Sequence, residues 1–165
     1  RGFIRNGCFL MVVVSDATTL IVLEKRGRFD LLANLFHEVL IPTSVFNEIN
    51  HKSTIILPAF MQTKSVTQDS ELANLKQLLD DGESEAIKLA KDNSLPLIID
   101  EKKGRKIATN MGLKIIGLLG VIYLNIKRGY LSKEEAKTLF DDISKDGFRI
   151  SDKLVCDMFE SLEGS

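Results

Sequence analysis

Apolar residues along this chain fall into two kinds of run. Some are short, with β-branched residues prominent: MVVV at 11–14 and LPLII at 95–99, which carry no charge, and EVLI at 38–41 and LKII at 113–116, each with one charged residue. Such runs predict strands, and the continuous ones predict strands buried on both faces. Between them the apolar positions recur every three or four residues. Leu72, Leu75, Leu78 and Leu79 are the clearest case, and this period predicts helices with one buried face. The pattern gives helices at 17–26, 29–36, 43–49, 71–79, 83–92, 102–111, 118–128, 133–145 and 152–162. Gly27, Gly112 and Gly129 stand where helices should stop, Pro42 suits the opening of one, and Ser132 the cap of another. The stretch 51–68 is broken by Pro58, with an edge strand expected at 65–68. Asp80-Asp81-Gly82 reads as a break, and 148–150 as a last short strand.

Strands alternating with helices over short connections predict an α/β fold: a parallel sheet covered by helices on both faces. One compact domain over 11–162 is the economical reading, and residues 1–10 are expected to be an upstream extension or cloning residues. Ligands of such sheets bind beyond the carboxyl ends of the strands, where strand order reverses.

That rule gives meaning to the acids. Asp16 follows the first strand and Asp100 follows the strand LII, so the topology brings both to one edge. A carboxylate at the end of a buried strand is costly unless it is paired, hydrogen-bonded or bound to a cation. A helix cap would explain one such acid; two are harder to explain that way. Glu48 lies near the carboxyl end of its helix, where the macrodipole disfavours it. In GESEAIKLA, Ala86, Ile87 and Ala90 follow Glu83 by three, four and seven residues, so Glu83 shares their inward face. Glu85 is rotated away from that face and remains the alternative.

Four carboxylates gathered at one edge repel one another and raise each other's pKa, a penalty that a divalent cation reverses. With two histidines, and two cysteines far apart without a CxxC spacing, a metal here has to be held by oxygen, which means Mg²⁺ or Mn²⁺. Lys plus Arg is 22 and Asp plus Glu is 23. The overall basic signature of many nucleic-acid binders is therefore absent, but EKKGRK places Lys102, Lys103, Arg105 and Lys106 just after Asp100, which suits a phosphate backbone. A phosphoaspartyl site built on Asp16 would want a second acid two residues on, where Thr18 stands. No apolar run approaches the ~20 residues of a membrane span, and the start lacks the apolar core and cleavage site of a leader. A cytoplasmic location is expected.

The ordered set VVVSDATTLIVL, IPTSVFNEI, LDDGESEAIKLA, LPLIIDEKKGRKIA and GLKIIGLLGVI resembles the PIN-domain family, and more narrowly its branch of VapC-type toxin nucleases. The resemblance implies a Rossmann-like three-layer sandwich with a central, mostly parallel sheet. It implies a Mg²⁺- or Mn²⁺-dependent endoribonuclease, the toxin of a toxin–antitoxin pair held by an antitoxin protein, and a homodimer. The family's four acids correspond to Asp16, Glu48, Glu83 and Asp100 as metal-holding, catalytic residues. Its small hydroxyl residue corresponds to Thr18, and Glu101 is an outer helper. Lys103 and Arg105 are the expected contacts to the RNA strand. The third acid departs from the pattern: it is Glu in a GE turn where many relatives carry Asp. The alternative reading is a PIN-like module with little catalysis, acting through protein or RNA partners.

Overall fold

The computed structural model describes residues 2–5 and 8–164, with side chains described from residue 11 onward; Arg1, Asn6, Gly7 and Ser165 lie outside the described residues. The element order is β1 (Gly2–Arg5), β2 (Cys8–Ser15), α1 (Ala17–Lys25), α2 (Asp30–Ala33), β3 (Glu38–Pro42), α3 (Thr43–Lys52), β4 (Met61–Lys64) and α4 (Ser70–Leu78). It continues with α5 (Asp81–Asn93), β5 (Leu97–Ile98), α6 (Lys102–Asn110), β6 (Ile115–Ile116), α7 (Leu118–Lys127), α8 (Lys133–Lys145) and α9 (Asp152–Glu163).

Five strands run parallel in the order β4-β3-β2-β5-β6. The chain first builds outward from β2 through β3 to β4, then crosses back to lay β5 on the other side of β2. The order therefore reverses between β2 and β5, where Asp16 and Asp100 leave the sheet. Residues 2–5 and 8–10 are sheet residues as well: β1 pairs antiparallel with the first half of β2.

Neighbouring strand residues serve opposite faces. Val13, Val39, Ile41 and Ile98 pack with α1, α2, α3, α7, α8 and α9 in one core. Val14, Leu40, Leu97 and Ile99 pack with α4, α5 and α6 in the other. Burial on both faces is why these strands read as continuous apolar runs. The result is the three-layer α/β sandwich expected from the alternation.

Three local expectations are corrected. The edge strand lies at Met61–Lys64, not 65–68: it starts after a turn in which Met61 N donates to Pro58 O, and its ladder ends at Pro42, where its partner β3 ends. Residues 148–150 form no strand; Phe148 and Ile150 instead pack, partly buried, against the first core. Asp81 and Gly82 belong to α5 rather than to a break, because Asp80 caps that helix. Its carboxylate accepts from Glu83 N at 2.8 Å and the Glu83 carboxylate faces back to Asp80 N, a reciprocal capping box. Among the described residues no helix is long and apolar enough to cross a membrane.

Candidate active site

Asp16 leaves β2 at the N-cap position of α1, yet its side chain makes no cap hydrogen bond. It is 5% exposed. Burial pushes its carboxyl from an ordinary 3.8 up to about 7, and the negative charges of Glu83, Asp80 and Glu48 push the same way against the opposing Ala17 amide. The α5 glycine makes this crowding possible. A Cβ at Gly82 would stand 3.2 Å from Glu48 Oε1 and 3.6 Å from Asp16 Oδ1, so a side chain there would intrude between the two acids.

Glu83 sits in the first turn of α5. One oxygen serves the capping box; the other, Oε2, is buried with no hydrogen-bond partner. Burial, then the Asp80 charge, then Glu101, raise this carboxyl to about 7. Glu48, on the exposed rim of α3, is raised by partial burial and by Asp80, while Lys52 one turn on pulls it back.

Asp100 follows β5 and is held from two sides. Thr19 Oγ1 donates to its Oδ2 at 2.5 Å, and Leu118 N, the first residue of α7, donates to its Oδ1 at 2.9 Å. Arg105 stands beside it: a Cβ at Gly117 would meet Arg105 Nη1 at 2.7 Å and Asp100 Oδ1 at 2.9 Å. The same Nη1 donates to Ile99 O at 3.1 Å.

The structure therefore gathers Asp16, Glu48 and Glu83 into one electrostatic group, with Asp100 at the adjoining strand end, tied to α1 by Thr19. The hydroxyl that reaches an acid belongs to Thr19, not Thr18. Thr18 lines a separate opening with Glu48 and Lys52. A positional signal existed: Thr19 is three residues after Asp16 and so on its helix face, while Thr18 is two. Asp80 is the member that the sequence reading missed, although the D-x-x-E spacing to Glu83 was available as a capping signature. Lys103 and Glu101 line an opening of about 420 Å³ with Asp80 and Glu83.

Glu85 is also buried, at 6% exposed, but it faces α3. It accepts from Ser44 N at 3.0 Å and Ser44 Oγ at 2.6 Å, anchoring the α3 N-terminus, where the helix dipole favours an anion.

The donor set at this edge is carboxylate oxygen, the kind that a hard divalent cation takes. Glu83 Oε2 tests the fit: a buried oxygen without a donor, within electrostatic reach of Asp16, whose negative form is disfavoured by burial first and then by Glu83, Asp80 and Glu48. A cation would relieve both. Among the described residues no three acids or imidazoles already stand as a metal-ligating group, so the side chains would have to turn toward an ion.

These observations define an α/β fold with an acidic carboxyl edge, and the comparisons agree with that class. A family model described as PIN domain matches residues 12–163, so the chain belongs to the PIN-domain family, whose members are generally nucleases. A PilT N-terminus domain protein of the hyperthermophilic archaeon Sulfolobus solfataricus P2 shares the fold. The TM-score is 0.51 at 19% identity, covering 67% of this chain and 90% of that one. No curated protein matches.

Proposed function

We propose that this chain is a divalent-cation-dependent endoribonuclease that hydrolyses RNA phosphodiesters at the β2–β5 edge. The observation that carries the reading is the partnerless buried oxygen of Glu83 at an edge where burial, and after it the charge of neighbouring acids, raises the carboxyls of Asp16 and Glu83. Asp16, Glu83 and Asp100 would hold Mg²⁺ or Mn²⁺, and Glu48 would complete the set or orient water from the rim. A bound cation supplies charge neutralisation on the phosphodiester and acidifies water. The chain's own part is positional. Thr19 and Leu118 N fix Asp100, Gly82 leaves room for the acids, and Lys103 and Arg105 face the phosphate backbone, with Thr18 at the neighbouring opening. Roles as the toxin of a toxin–antitoxin pair, with an antitoxin partner and a homodimeric state, are supported by the sequence likeness to VapC-type nucleases.

The test is cleavage of tRNA and mRNA with Mg²⁺ or Mn²⁺, with and without chelator. The wild type should cleave and Asp16→Asn should not; retained Mn²⁺-dependent cleavage by Asp16→Asn sinks the assignment. The alternative is a PIN-like module acting through protein or RNA partners with little turnover. It predicts Mn²⁺ uptake without turnover, or no uptake at all.

A further inference from the structure

A second feature adjoins the acidic edge. A cleft of about 1040 Å³ runs from Asp100 along α6, β6, α7 and α9. Helix α6 contributes Lys102 and Lys106 to its lining, and the connection between α8 and α9 contributes Arg149. All three are exposed, and among the described residues none of them has an ion-pair partner. Other cations without an ion pair among the described residues, such as Lys64, Lys133 and Lys145, stand apart on the surface, whereas these three share one concave lining with Arg105. The same cleft carries aromatic and apolar surface: Tyr123, Phe148 and the exposed Leu154. Lys127 lies 5.6 Å from the centre of the Tyr123 ring. Apart from Asp100, the acid in the lining is Asp157.

Unpaired cations seek a polyanion, and flat apolar rings seek flat apolar partners. Both demands are met by a single nucleic-acid strand, whose phosphates pair with Lys and Arg while its bases stack. An acidic peptide satisfies only the first, and it would bring more negative charge to an edge already crowded with carboxylates. A cleft of this size admits a few nucleotides of one strand. We propose that it seats the segment of single-stranded nucleic acid flanking the scissile phosphodiester, with Arg149 binding a phosphate and Tyr123 stacking a base. This rests on the nuclease reading for which strand enters, but not for whether the cleft binds one.

The experiment measures fluorescence anisotropy of labelled oligouridylate and oligothymidylate dodecamers with the Asp16→Asn protein over a range of salt. Adding Arg149→Ala should weaken binding several-fold and reduce the slope of log affinity against log salt by ~0.7. Adding Tyr123→Leu should weaken binding roughly 10-fold with the slope unchanged. Lys145→Ala, the same charge change outside the cleft, is the control and should leave both unchanged. In the wild-type background, Arg149→Ala should lower kcat/KM for RNA. The ribo and deoxy arms decide the sugar: tighter oligouridylate binding assigns RNA, and equal binding supports a strand seat without sugar choice. If the wild type cleaves RNA but neither variant changes affinity or slope, the cleft proposal is overturned and the nuclease reading stands. If the variants weaken binding but the wild type does not cleave, the cleft stands and the nuclease reading falls. Folding of each variant is checked by its melting curve.

Discussion

A carboxylate buried among other carboxylates keeps its proton to higher pH than it does in the unfolded chain. For Asp16 the two limits are an ordinary 3.8 and about 7. Between them the folded chain binds more protons than the unfolded one, so stability falls as pH rises through this window. The contribution is fully present below the unfolded pKa and is lost as pH passes about 7. Asp16→Asn carries no such charge. It should raise the stability of the metal-free protein at pH 8 by about 2 kcal/mol and change it little near pH 4, read from urea denaturation; an equal effect at both pH values would refute the burial argument. A second pair separates the two glutamates of α5. Glu85→Ala should cost about 2 kcal/mol by stranding the Ser44 donors while Mn²⁺ still shifts the melting curve. Glu83→Gln should cost little stability and blunt that shift. The inward position of Glu83 was legible from spacing. The inward position of Glu85 was not, because its face is buried against α3, an element whose placement no local pattern announces. Asp80 was hidden for a different reason: Asp-Asp-Gly reads as a turn until its carboxylate is seen capping α5.

At the scale of elements, the longer helices and the central strands were legible because burial imposes their period. The misplaced pieces lie where it does not. β4 is mostly exposed, with only Met61 buried, so nothing in its composition fixed its register; the end of β3 at Pro42 did. The 148–150 segment carries strand-like residues but has no ladder to join. Helices α4 and α5 show how a charged residue can fix an element. Lys88, 4% exposed on α5, meets Asp69, Glu71 and Asp92 at 2.6, 2.9 and 3.2 Å. Its ammonium is thereby held well above the usual lysine range. Asp69 also caps α4, so the lysine ties the start of that helix to the helix that bears Glu83. Lys88→Met leaves Asp69 and Asp92 without their ion pair, with Glu71 still held by Lys91, and should cost about 2 kcal/mol. A circular-dichroism melt would show it, and an unchanged melting temperature would mean that the cluster is only a surface network.

Across the whole molecule, the sheet divides two apolar cores and the order reversal beside β2 leaves one edge for chemistry. Two halves of that edge are built differently. β2 and β3 share a three-residue register in the middle of the sheet, with β3 further braced by β4. β5 and β6 pair over only two residues each, so Asp100 depends on its tethers to Thr19 and Leu118 as much as on the ladder.

Short ladders open without the rest of the fold giving way. Deuterium should therefore enter the amides of Leu97, Ile99 and Leu118 sooner than those of Val13 and Val39, and Thr19→Val should hasten it there alone. The molecule would then own a partly unzipped form in which one acid swings free of its partners while both hydrophobic layers stay closed, and the rate of that breathing would set how often the edge is assembled.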